Sequence, residues 1–107
     1  MERIKQAYLL WCIYHAKLPK THKHTLGDRI DKLFVEVIED TASATFLPRV
    51  EKLLAVHAAI RTLDTLKILL MVLWESHSID TKKYIALSAP LDEVGRMLGG
   101  WRGQLQK

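Results

Sequence analysis

The stretch YIALSAPLDEVGRMLGGWRGQL, Tyr84 to Leu105, decides the fold class. Tyr84, Leu87, Leu91, Val94, Leu98, Trp101 and Leu105 follow one another at alternating spacings of three and four. On a helix of about 3.6 residues per turn that spacing stacks them into one apolar seam. Leu53, Val56, Ile60, Leu63, Leu66, Leu70 and Leu73 nearly repeat the pattern in the middle of the chain, and Leu26, Ile30, Leu33, Val37, Thr41 and Ala44 carry it before them. A half-buried strand needs period two, and no comparable alternation occurs. The chain reads as all-α.

The breaks are few. Pro19, Pro48 and the segment SHSID ending at Asp80 interrupt the periodicity, and proline suits a first helical turn because its missing N–H is not needed there. These breaks predict four helices, at about residues 2–17, 20–46, 48–76 and 80–103, joined by connections so short that successive helices must run antiparallel. The expected architecture is one domain over residues 1–107, an up-down-up-down four-helix bundle. The second helix has an alternative start at Thr25, where TLGD offers a Thr-x-x-Asp capping pattern. Pro90 falls inside the seam of the last helix and predicts a kink.

Two features point to contacts beyond the protomer. The first helix is apolar almost all round from Ala7 to Tyr14, which leaves a second face to bury, in a subunit contact or, alternatively, at the centre of the monomer; Tyr8 and Trp11 are its candidate interface residues, while Cys12 reads as core. Gly95, Gly99 and Gly103 recur every four residues, and a mid-helix glycine costs about 1 kcal/mol relative to alanine. Either the helix stops near Gly99 and Gly100, or a glycine face lets another backbone approach. The second alternative makes Gly95, Gly99 and the neighbouring Trp101 interface candidates too.

Composition sets the bounds. With 107 residues, 49% hydrophobic and 26% charged, the chain suits one globular domain; a domain this small gains from burial by self-association. A net charge of +4 is a mild bias toward acidic partners such as nucleic acid. Cys12 is the single cysteine, which excludes an internal disulfide and suits a reducing cytoplasm. The longest uninterrupted apolar run, Ile68 to Trp74, is far short of the roughly 20 residues a bilayer requires, so a soluble cytoplasmic protein without membrane contact is expected.

An antiparallel layout gathers Lys17, Lys20, Lys23, Lys82 and Lys83, with His15, His22, His24 and His77, at one end. Lysines beside free helix N–H groups suit a phosphate, and the same lysines suit a solvated end with no specific task. A metal is not expected. His22 and His24, two apart, point to different helix faces, and no helix carries a His-x-x-x-His pair. His57 reads as a polar position within the bundle. No Gly-rich phosphate loop, no nucleophile beside a His and carboxylate, and no Glu-x-x-His pair is present, so neither catalysis nor a cofactor is expected.

KLPKTHKHTLGDRI (Lys17 to Ile30) and LDEVGRMLGGW (Leu91 to Trp101) resemble the accessory variability determinant (Avd) proteins of diversity-generating retroelements, and PRVEKLLAVHAAIRTLDTLKILL between them resembles that family's third helix, with Arg61 and Lys67 interrupting a run of leucines. The resemblance spans essentially the whole chain. It implies a four-helix protomer assembling into a basic homopentameric barrel that binds RNA or DNA. It also implies association with the retroelement reverse transcriptase, supporting error-prone cDNA synthesis without catalytic residues of its own. By position in or beside the two motifs, Lys17, Lys20, Lys23, Arg29, Arg96 and Arg102 are the candidate nucleic-acid-binding residues. Four-helix proteins encoded within ribosomal RNA intervening sequences share the fold and are the nearest alternative. A protein-interaction scaffold without nucleic-acid binding is the other.

Overall fold

The computed structural model describes Met1–Lys107 and is all-helical. Its elements are α1 (Glu2–Ala16), a single turn α2 (Lys20–Lys23), α3 (Leu26–Ala44), α4 (Arg49–Glu75) and α5 (Thr81–Leu105). No helix is long and apolar enough to cross a membrane.

The seams become the core. Leu87, Leu91, Val94 and Leu98 of α5 are buried against Ala59, Leu63, Leu66, Leu70 and Leu73 of α4 and Ile30, Leu33 and Val37 of α3, in one cluster with Ile4, Ala7 and Trp11 of α1. Packing joins α1 to α3 and α5, and α4 to the same two helices. Specific contacts give the directions. Arg49 at the start of α4 reaches the last carbonyls of α5, while Trp74 at the end of α4 stacks on Tyr84 at the start of α5 with centroids 4.7 Å apart. Across α1 and α3, Tyr8 meets Phe34 at 5.7 Å and His15 meets Asp28 at 3.1 Å. Each of these pairs is therefore antiparallel.

The predicted second helix is two pieces. α2 ends at Lys23, and α3 starts at Leu26 after Thr25, whose side chain does not cap it; the Thr25 hydroxyl instead donates to the Thr21 carbonyl at 3.2 Å. Asp28, the other half of the expected capping pattern, is drawn to His15. Asp80 does cap α5, its Oδ1 accepting from the Lys83 N–H at 2.8 Å, which satisfies one orphan donor of the first turn.

α5 is one helix running through Pro90 and on past Gly99 and Gly100 to Leu105, so of the two alternatives for the glycine pair the helix stop is excluded. Its C-terminal carbonyls do not go begging: Arg49 Nη2 donates to those of Gln104 (3.3 Å) and Leu105 (3.0 Å), and to that of Lys107 just beyond the helix. A cation at a helix C-terminus also complements the macrodipole.

On α1, the two faces sort differently from the sequence reading. Trp11 is 0% exposed, stacked on Phe34 at 5.9 Å, and so belongs to the protomer's own core and cannot meet another subunit. Cys12, expected in the core, is exposed. The reason is helical phase: Ile4, Ala7 and Trp11 share the inward face, and Leu9, Cys12 and Ile13 fall on the opposite one. Leu9 and Ile13 are 65% and 55% exposed.

Candidate nucleic-acid interface

The lysine- and histidine-rich end forms where the end of α1, the α2 turn and the α4–α5 connection meet. His15 Nε2 lies 3.2 Å from the Lys23 carbonyl and 3.1 Å from Asp28 Oδ1; both are acceptors, so this nitrogen carries the proton. His24 Nδ1 stands 3.9 Å from the second oxygen of Asp28. His22 Nδ1 is 2.6 Å from the Ser78 hydroxyl, tying α2 to the turn in which His77 adopts φ 65°. These histidines hold the connections in place. No group of three or more His, Cys, Asp or Glu is placed to hold a metal ion.

Gly27 makes this end close-packed. A Cβ there would sit 2.9 Å from Leu18 Cδ1, and 3.0 Å from both His15 Cδ2 and the His22 carbonyl oxygen. Only the absent side chain lets α3 start against the end of α1 and the back of α2. The glycine was not singled out from sequence, because its neighbours are assembled by the fold.

The lysines at this end are partly engaged. Lys23 Nζ donates to the Ala16 carbonyl at 3.2 Å, capping the end of α1, and Lys83 Nζ lies 5.4 Å over the Tyr14 ring. Lys17 and Lys20 point to solvent. Arg96 and Arg102, exposed on the later turns of α5, belong to the other end, where α5 meets Arg49. The six candidate residues therefore do not converge on one site. The molecule extends 44 Å along its long axis, and the basic groups are spread along it.

A second grouping appears on α4. Arg61 lines a concavity of about 320 Å³ with Leu54, His57, Ile60 and Arg102. It also lines a neighbouring one of about 260 Å³ with Arg29, Glu36 and Thr65. None of Arg29, Arg61 and Arg102 has a carboxylate within ion-pair distance, whereas Arg3 is paired with Glu93 at 2.8 Å and Lys67 with Asp92 at 2.9 Å. His57 is half-buried, as expected for a polar position inside the helical packing, but its Nε2 is enclosed without a hydrogen-bond partner. Sequence reasoning noted Arg61 only as an interruption of leucines.

Of the interface candidates other than Trp11, Tyr8 is half-buried against Phe34; burial first, and then the neighbouring Cys12 and Asp31, push its hydroxyl above the ordinary tyrosine range. Gly95 faces Leu63 within the protomer, a Cβ there lying 3.6 Å from Leu63 Cδ2, while Gly99, Gly100 and Gly103 face open space. Trp101 is half-buried and lines an apolar cavity of about 290 Å³ with Ile4, Thr41, Val94 and Met97.

A family model described as bAvd-like covers residues 2–105. No curated protein and no solved structure matches the chain.

Proposed function

Because the chain belongs to the bAvd-like family, we propose that it is a non-catalytic accessory protein of a diversity-generating retroelement. In this reading its four long helices form an up-down-up-down bundle, five copies assemble into a barrel, and the assembly binds nucleic acid and the reverse transcriptase during mutagenic cDNA synthesis. The observation that carries the reading is the family match across nearly the whole chain. Charge supports it: Lys17 and Lys20 at one end and Arg29, Arg61, Arg96 and Arg102 elsewhere are exposed and free of carboxylate partners, which is what contact with phosphates requires. Exposed Leu9 and Ile13 on α1 and the open glycine face of α5 favour assembly.

Light scattering together with RNA titration tests this. The expected result is a particle with the mass of five 12.3 kDa protomers that binds RNA in low salt and releases it as salt rises. A stable monomer removes the barrel. An assembled protein with no affinity for RNA or DNA leaves a protein-interaction scaffold.

A further inference from the structure

We propose that Arg61, with Arg29 and Arg102 on either side, forms a phosphodiester-binding track across α3, α4 and α5, and that this track, more than the lysine-rich end, holds the nucleic-acid backbone. The inference rests on the nucleic-acid reading above and adds to it a place and a central residue.

Availability of charge is the first argument. At the lysine-rich end Lys17 and Lys20 are free, but Lys23 is spent on a carbonyl and Lys83 on an aromatic face, and His15 is committed to Asp28. Arg29, Arg61 and Arg102 have no such partner. An arriving phosphate therefore displaces nothing from them.

Shape is the second. Arg61 belongs to both concavities, one shared with Arg102 and the other with Arg29. Three guanidinium groups from three helices thus border two neighbouring concavities that share Arg61, and a guanidinium presents paired donors that match phosphate oxygens better than an ammonium does. The floor between Arg61 and Arg102 is formed by His57, with Leu54 and Ile60 as apolar flanks that leave the guanidinium groups as the charges in reach. Glu36 is the opposing charge on the Arg29 side, which makes the Arg61–Arg102 half the stronger one. Nothing in this surface presents a pattern that reads base edges, so binding is indifferent to sequence.

Titration of a fluorescent single-stranded oligouridylate against the assembled protein, by anisotropy over a series of salt concentrations, tests the track. Arg61→Gln is expected to weaken binding by about tenfold, the loss of one charge-assisted contact, and to flatten the slope of log affinity against log salt by about 0.7 per contact removed. Arg61→Lys should restore the slope while leaving affinity below wild type. The paired change Lys20→Gln with Lys23→Gln should have the smaller effect. Arg61 is exposed and unpaired, so helicity and particle mass should not change, and both are measured alongside. Wild-type affinity and slope in Arg61→Gln, with binding lost in the lysine variant, overturns the track and keeps the nucleic-acid reading. Failure of the wild-type protein to bind in low salt overturns both. Loss of polyglutamate binding in Arg61→Gln with RNA binding untouched overturns the track in favour of an acidic protein surface.

Discussion

The indole Nε1 of Trp11 donates to Asp31 Oδ1 across 3.2 Å, so the largest side chain of the core satisfies its one polar atom at the edge of α3. That bond and the stacking on Phe34 fix the rotation of α1, and with it which α1 residues face outward. Trp11→Ala should cost about 3–5 kcal/mol, read as a lowered urea midpoint, and should unfold the protein before it alters assembly. Trp11→Phe keeps much of the volume and loses the hydrogen bond, so a cost nearer 1–2 kcal/mol is expected.

Gly27→Ala should destabilise by about 1–3 kcal/mol, because the added methyl meets Leu18, His15 and a backbone carbonyl at once. The carbonyl cannot rotate away as a side chain can. Thermal unfolding measures it, and the cost of Gly27→Ala should be smaller when measured in a Leu18→Ala background, where the methyl has room.

Asp40 titrates above its usual value of 3.8, through burial first and then the negative charges of Glu36 and Glu39. A raised native pKa means that the folded chain holds this proton more tightly than the unfolded one, so stability falls as pH rises from the unfolded value through the native one. Above that window the ionised group opposes folding. Asp40→Asn should therefore raise the melting temperature at pH 7, and the gain should shrink and vanish as pH falls below the unfolded value. A gain that persists unchanged in acid would contradict the cause given.

Gly99 faces open space within the protomer, where alanine is worth about 0.8–1 kcal/mol more than glycine in a helix. If backbones of neighbouring copies meet there, Gly99→Leu should leave helicity intact and shift the particle toward monomer in light scattering. A protein that gains stability and keeps its mass would free the glycine face from any role in assembly.

The helical fold was legible because burial repeats at helical period: Leu87, Leu91, Val94 and Leu98 are all buried where spacing alone had put a seam. Thr25 marked the start of α3, yet the capping pattern behind it is not formed, since a spacing of three cannot reveal that His15, on another helix, competes for Asp28. Trp11 and Cys12 were misplaced on α1 for a related reason. In a segment apolar almost all round, composition carries no phase, and only the packing partner decides which face turns inward. The basic residues suffered most. Lys17, Lys20 and Lys23 lie close in sequence and at one end, but Arg61 comes to share a concavity with Arg29 and another with Arg102 only after three helices have packed.

Reconstituted cDNA synthesis tests the central claim most directly. The reverse transcriptase of a diversity-generating retroelement, supplied with its template RNA, should make little cDNA alone, and addition of the assembled protein should raise both the yield and the error frequency of the product. The two proteins should also co-elute. Equal yield and fidelity with and without the chain, in conditions where the polymerase is active on a primed control template, would contradict the account.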